Sequence, residues 1–174
     1  MKKFIALMLV IAMAASLAAC GNKAADKTPL EGTMEENTMK VMEIAPVEFM
    51  GGIIPVDLTD TSEDGLANVF YFTGLTDASQ ITDVAVYESM MGSQAFSLVM
   101  VRTAEGTDPK AVAEEMKSGI DPRKWICVGA DEIMAAGYGD TVMFIMVDSQ
   151  MGLSAQSYVD AFQTVCGADL DFTI

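Results

Sequence analysis

Two long apolar runs dominate the second half of the chain. Residues 95–102 and 141–147 are apolar at nearly every position rather than at every second one, which is typical of strands buried on both faces. A shorter strand pattern precedes each run, at 84–87 and 132–136, across a glycine-containing turn. The pattern therefore predicts two antiparallel hairpins whose second strands are central in a sheet.

A helix pattern follows each hairpin. Asp108 and Pro109 are the residue types that begin helices, and Ser154 is the predicted cap of the second helix. Apolar residues then recur at helical spacing and are predicted to face the core: Val112, Met116 and Ile120 in the first helix, and Tyr158, Val159, Phe162, Val165 and Cys166 in the second.

The two strand-strand-helix patterns align without a gap at an offset of 46 residues. Met100 then falls on Met146 and the cap Asp108 on the cap Ser154, although the alignment fails before the turn. A doubled unit predicts the α+β class. We expect a mainly antiparallel four-stranded sheet with both helices on one face, and short N-terminal helices or a partner protein on the other face.

The first part of the domain has weaker patterns. Residues 38–50 predict a short, interrupted helix, and residues 53–58 predict an extended segment at a sheet edge. The stretch Asp60-Thr61-Ser62-Glu63 predicts a helix start and Gly74 its end. The buried stripe of that helix is predicted to contain Leu66, Val69 and Phe70.

The N-terminus has the pattern of an export signal. Lys2 and Lys3 precede an apolar run at 4–17 that is shorter than a membrane-spanning helix. The segment Leu17-Ala18-Ala19-Cys20 resembles the bacterial lipobox, in which the chain is cut before a cysteine that then carries a lipid. We therefore expect a signal peptide at 1–19 and lipidation of Cys20, with an ordinary secretory signal as the alternative.

The mature chain is predicted to be anchored at the outer face of the cytoplasmic membrane. Residues 20–37 comprise the lipidated Cys20 and a polar tether of about 20 to 25 Å root-mean-square reach, and residues 38–174 form a single domain. Loss of the two lysines in 1–19 changes the formal charge from −15 to −17. Such an acidic domain is repelled by anionic lipid and should stand away from the bilayer.

Composition excludes several classes of function. The chain has 10 Lys and Arg against 25 Asp and Glu, so we expect no nucleic-acid partner. It has no His, which removes catalytic triads and metal sites that need imidazole. The 15 methionines are spread over helices and strands, which favours core filling over a copper site. We predict no cofactor.

Acidic residues between two predicted elements form the best candidate for a metal site. Carboxylates and hydroxyls lie close together in this loop, as calcium prefers, but the order of an EF-hand is absent. A helix cap and a solvated loop explain the same residues better. The weak metal candidates are Asp57, Asp60, Glu63 and Asp64.

Two further features follow the first repeated helix. Arg123, Lys124 and Trp125 form the one predicted cationic and aromatic cluster, either a contact site for an anionic partner or an anchor for its loop. Cys127 and Cys166 lie in apolar surroundings, which favours two buried thiols, with a disulfide as the alternative. No His is present to activate either thiol.

The chain as a whole resembles a family of small lipidated proteins of low-GC Gram-positive anaerobes, catalogued as domain of unknown function 4358. The resemblance rests on the lipobox, the segment 66–74, the hairpin 84–101, the helix after Pro109 and the turn Gly139-Asp140-Thr141-Val142. It implies an extracytoplasmic lipoprotein of α+β type and carries over no functional residue.

Two hypotheses for function follow. The first is a membrane-anchored binding or interaction module, not an enzyme, that recognises an extracytoplasmic protein or a small ligand. The second is a carboxylate-based hydrolase of the cell envelope. Two acids that meet in a deep cleft would favour the hydrolase, whereas an exposed apolar surface would favour the binding module.

Overall fold

The computed structural model describes residues 27–174, and the predicted signal peptide, Cys20 and the first part of the tether lie outside the described residues. The described chain forms four α-helices, two short 3-10 helices at 78–80 and 149–151, and six strands. No helix in residues 27–174 is both long enough and apolar enough to cross a bilayer. The elements are α1 (Met34–Ile44), β1 (Gly51–Ile54), α2 (Glu63–Thr73), β2 (Ile81–Ser89), β3 (Phe96–Thr103), α3 (Pro109–Gly119), β4 (Glu132–Tyr138), β5 (Thr141–Val147), α4 (Ala155–Cys166) and β6 (Phe172–Thr173).

All six strands belong to one antiparallel sheet of order β1-β2-β3-β5-β4-β6. The central strands β3 and β5 pair directly, with Phe96 opposite Val147 and Arg102 opposite Thr141. Every side chain of β5 and nearly every one of β3 is buried. The two predicted hairpins and their central strands are therefore confirmed.

Helices cover both faces of the sheet. Phe96, Leu98 and Met100 of β3 pack in one core with α1 and α4. The alternate residues Val99 and Val101 pack in a second core with α2 and α3. The molecule therefore has three layers, and two hydrophobic cores lie on opposite sides of the same strands.

The predicted four-stranded sheet is wrong, because β1 and β6 extend it at the two edges. Strand β1 contains two glycines, and β6 is only two residues long. The extended edge segment predicted at 53–58 overlaps β1 only at residues 53 and 54, and β6 is too short to show the alternation of apolar and polar residues that marks a strand in a sequence. Both are short edge strands, which limits pairing with other chains.

The predicted position of both repeated helices on one face is also wrong. Strands β3 and β4 are both antiparallel to β5 and hence parallel to each other, and the same holds for β5 and β6 on either side of β4. Helix α3 connects β3 to β4, and α4 connects β5 to β6, so both connections move towards the β6 edge of the sheet. The strands from which they start, β3 and β5, are antiparallel. Crossovers of one hand then require helices on opposite faces.

The doubled unit is therefore only partly a structural repeat. The offset that places Met100 on Met146 joins residues that pack in different cores. Strand β2 lies on the outer side of β3 towards one edge, whereas β4 lies beside β5 towards the other edge. The strand-helix part repeats, and the first strand of each hairpin does not, which accounts for the alignment failure before the turn.

The tether predicted to extend to residue 37 ends earlier. Arg102 donates hydrogen bonds to the carbonyls of Leu30 (2.8 Å) and Gly32 (2.9 Å) and to the carboxylate of Asp140 (2.9 Å). Helix α1 then begins at Met34, which is fully buried. The predicted start of this helix, residue 38, lies one turn too late, because the capping box of Thr33 and Glu36 falls within the predicted tether.

Helix α2 has the predicted end but a different buried face. The Ser62 side chain accepts a hydrogen bond from the Gly65 N–H at the start, and Gly74 ends the helix with a left-handed φ of 75°. Val69 is buried as predicted, whereas Leu66 and Phe70 are exposed. Phe72 packs in the core instead.

Helices α2 and α3 meet closely at their C-terminal ends. A Cβ added to Gly119 would lie 2.1 Å from the carbonyl oxygen of Gly74. We expect Gly119→Ala to lower the free energy of unfolding by about 2 kcal/mol, since overpacking outweighs the gain in helix propensity. Chemical denaturation measures the effect. Ser118→Ala, at the exposed neighbour, should change the value by less than about 0.5 kcal/mol, and an equal loss in both variants would contradict the close approach.

Candidate functional site

The loop 121–131 between α3 and β4 carries all three residues of the predicted cationic and aromatic cluster. Arg123 is exposed, Trp125 is half-buried and the Lys124 side chain is 1% exposed. The main chain turns at Asp121, whose carboxylate accepts the Arg123 N–H at 2.8 Å. The structure therefore separates Lys124 from its neighbours by pointing its side chain into the protein.

The Lys124 ammonium is enclosed by three aromatic rings and one carboxylate. Its Nζ lies 5.0 Å from the ring centre of Tyr71, 5.2 Å from that of Phe72 and 5.4 Å from that of Trp125. Glu88 Oε1 is 2.5 Å from Nζ. We call Tyr71, Phe72, Glu88 and Trp125 the Lys124 cage; its walls come from α2, the end of β2 and the loop.

Burial and charge act in opposite directions on Lys124. Removal from water lowers the pKa of its ammonium, and this effect exceeds the opposing attraction of Glu88 and Asp121. Burial also raises the pKa of the Tyr71 hydroxyl, with a further contribution from Glu88. The cage is therefore a partly desolvated cation site in which the pairing with Glu88 sustains the charge.

Further polar groups meet at the same place. Ser97 lies directly opposite Glu88 in the pairing of β2 with β3, and it is fully buried. Within residues 27–174, the Ser97 hydroxyl and the Trp125 indole N–H are buried without a hydrogen-bond partner. In the same part of the chain, Lys124 Nζ and Glu88 Oε1 contact each other but have no additional hydrogen-bond partner. Since buried polar groups are normally satisfied, this concentration is unusual for a core.

Cys127 follows the cage residues and is exposed, so the prediction of a buried thiol is wrong for this residue. The chain turns outward here with a φ of 64°, a value uncommon for a residue other than glycine. The Cys127 side chain borders an open depression of about 540 Å³ that is lined by Arg123, Trp125, Cys127, Val128, Gly129, Ala130 and Asp131.

Cys166 is half-buried at the end of α4, and both cysteines are free. Its side chain packs against the core of α1 and α4. Burial raises the pKa of the Cys166 thiol to about 12. The predicted burial is therefore only partial for Cys166, and the alternative disulfide with Cys127 is not formed.

The acidic residues of the β1–α2 connection serve local turns. Asp57 accepts hydrogen bonds from the Thr59 N–H and hydroxyl, and Asp60 accepts one from the Ser62 N–H. These bonds lower the pKa of both carboxyls. In the part of the chain that the structure describes, no group of three or more acidic or cysteine side chains is placed to hold a metal ion, and this includes the weak candidates Glu63 and Asp64.

Exposed apolar side chains gather at the end of the sheet beside the cage. Met50, Met90, Met91 and Ile126 are 53 to 72% exposed. The Met90 N–H donates to the Met50 carbonyl (2.9 Å), and the Ile126 N–H donates to the Gly92 carbonyl (2.7 Å), so β1, the β2–β3 turn and the loop adjoin. We call these four side chains the apolar tip.

The partner of Lys124 was not found from the sequence. Glu88 lies just beyond the predicted strand 84–87, and extending that strand places it on the same face as the buried Val86. A carboxylate at an inward position requires a cation nearby. The inward position of Glu88 in the extended strand pattern therefore signals a buried ion pair. It does not identify Lys124 as the cation, because Lys124 is 36 residues away along the chain.

Comparisons with protein-family models, curated proteins and solved structures found no match for this chain. The resemblance to domain of unknown function 4358 therefore stays a prediction.

Glu88→Gln should destabilise the fold strongly, because it leaves a buried ammonium without its counter-charge. We expect a loss of about 3 kcal/mol in the free energy of unfolding, measured with denaturant. The double variant Glu88→Gln with Lys124→Met should recover most of that loss, and Glu105→Gln at an exposed position should change little. Additive losses in the double variant would argue against the ion pair.

The two thiols should differ in reactivity. In full-length protein carrying Cys20→Ala, a disulfide reagent at pH 8 should modify Cys127 rapidly and Cys166 only after unfolding, because the buried thiol of Cys166 does not ionise at this pH. Counting fast-reacting thiols in native protein measures this. Adding Cys127→Ser should remove the fast reaction, and two fast thiols in the Cys20→Ala protein would contradict the assignment.

Proposed function

We propose that this protein is a lipid-anchored extracytoplasmic binding module, tethered through Cys20, that recognises a protein partner with its apolar tip. The observation that carries the proposal is the position of the apolar tip at one end of the sheet while the N-terminal segment enters at the other. Exposed clusters of large apolar side chains in a soluble domain are typical of interaction sites.

The N-terminal segment is held near the β4–β5 turn. Lys27 forms an ion pair with Asp171 (2.7 Å) and lies 4.9 Å from the centre of the Tyr138 ring. Arg102 joins the same segment to Asp140. Since β3 runs from the tip end to this end over about 20 Å, a membrane anchor attached before Lys27 would leave the apolar tip pointing away from the bilayer.

Charge indicates the chemistry of the partner. The chain has a formal charge of −15, and exposed acids such as Glu48 and Asp121 lie in the segments that lead to the apolar tip. A protein with an apolar pocket and a basic rim would therefore associate faster and more selectively than a neutral one. Arg123 is one exposed cation near the tip.

No observation favours the alternative hydrolase. A general acid at neutral pH needs a raised carboxyl pKa. Among residues 27–174, every carboxyl with a clearly shifted pKa has it lowered, because each accepts hydrogen bonds from nearby main chain and side chains: Asp57, Asp60, Asp77, Glu115 and Asp131.

Site-specific photo-crosslinking in intact cells tests the proposal. A photoreactive residue at Met91, in the apolar tip, should give one abundant protein adduct, identified by mass spectrometry. The same residue at Glu105, an exposed position in the loop after β3 at the opposite end, serves as the matched control. We expect at least a tenfold difference in adduct yield between the two positions.

The anchor is tested in the same cells. Cys20→Ala should release the protein from the membrane fraction, because it removes the lipid attachment site. It should also abolish the Met91 adduct, because the protein is then no longer held at the membrane near its partner. Equal adducts at Met91 and Glu105 would reject the apolar tip as the binding surface. A Cys20→Ala protein that remains in the membrane fraction would reject the lipid anchor.

A further inference from the structure

The Lys124 cage has the composition of a binding site for an organic cation. Aromatic faces attract an ammonium group within about 6 Å, and a desolvated carboxylate supplies the compensating charge. Three rings lie 5.0 to 5.4 Å from Nζ, and Glu88 contacts it. The rings of Tyr71 and Phe72 meet edge to face at 4.9 Å, so two walls form a fixed corner on α2.

The cation comes from the chain itself, on a loop that is held most firmly at its C-terminal end. Residues 121–131 form no helix or strand before β4 begins. Asp131 donates its N–H to the Val147 carbonyl (3.1 Å) and accepts hydrogen bonds from the Ser149 N–H and hydroxyl. Around Lys124 the loop is joined to the domain by the Ile126 N–H bond to Gly92 and a long Tyr71 hydroxyl bond to the Lys124 carbonyl (3.5 Å). Cys127 also holds an unfavourable φ of 64°.

We propose that the Lys124 cage is a binding site for an alkylammonium group, which the protein fills with its own Lys124 and which an external primary amine can occupy when the loop lifts. Tyr71, Phe72 and Glu88 lie outside the loop and remain when Lys124 leaves. The released loop carries Trp125 and Ile126, so occupancy by an external amine alters one side of the apolar tip. The proposal does not require a partner at that tip.

Competition within the chain sets the expected affinities. A side chain on a short loop acts at an effective concentration of about millimolar or above. An external amine must exceed that concentration to displace Lys124 from the unmodified protein. Removal of the Lys124 side chain abolishes the competition and leaves space for a short alkylammonium ion.

Titration of the full-length Lys124→Ala protein with n-propylammonium chloride tests the site. Trp125 is the only tryptophan of the chain, so its fluorescence reports the cage directly. We expect a saturable change in emission and a rise in Tm in this variant, with half-saturation at least tenfold below that of the parent protein. Sodium chloride at equal ionic strength should produce neither effect.

Two variants serve as controls. Lys124→Met fills the same space without a charge and should not respond to propylammonium. Lys110→Ala removes an exposed lysine at the start of α3 and should respond like the parent protein. Equal responses of Lys124→Ala, Lys124→Met and the parent protein would overturn the proposal. So would a Lys124→Ala chain that remains unfolded when propylammonium is present during refolding.

Discussion

Strands β3 and β5 bury side chains on both faces, and the remaining elements follow from that requirement. One layer of helices leaves half of these apolar side chains in water, so the chain must place helices on each side of the sheet. The crossovers through α3 and α4 lie on opposite faces, because they start from the antiparallel strands β3 and β5 and both move towards the β6 edge. Helices α1 and α2 complete the two layers.

The cage depends on the same arrangement. Strand β2 ends at Ser89, and the buried Glu88 near this end contacts Lys124 of the loop 121–131. The apolar contacts that cover β2 further along are replaced there by Lys124 and its aromatic neighbours. An ionic contact therefore continues the buried face of β2 at this end of the sheet, two residues before the exposed Ile126 of the loop.

Long elements with clear periodicity were predictable from the sequence, and short or long-range features were not. The central strands and the capped start of α3 were found because apolar runs and Asp108-Pro109 act locally. Strand β6 and the faces of the helices depend on pairing across the sheet, which local pattern does not encode. At the site, the cluster of Arg123, Lys124 and Trp125 was found, but the burial of Lys124 depends on Glu88 in a distant strand.

If the chain is anchored through Cys20 as proposed, the hydrogen bonds of Arg102 to the N-terminal segment would limit the height of the domain above the membrane. With Cys20 as the proposed lipid site, six residues separate it from Lys27. Fully extended, they span about 20 Å, roughly the length of the sheet itself. With the proposed anchor, the apolar tip would therefore face away from the bilayer, at a height of up to about 40 Å. A partner embedded in the same membrane would then reach the tip only with a binding surface that extends to that height.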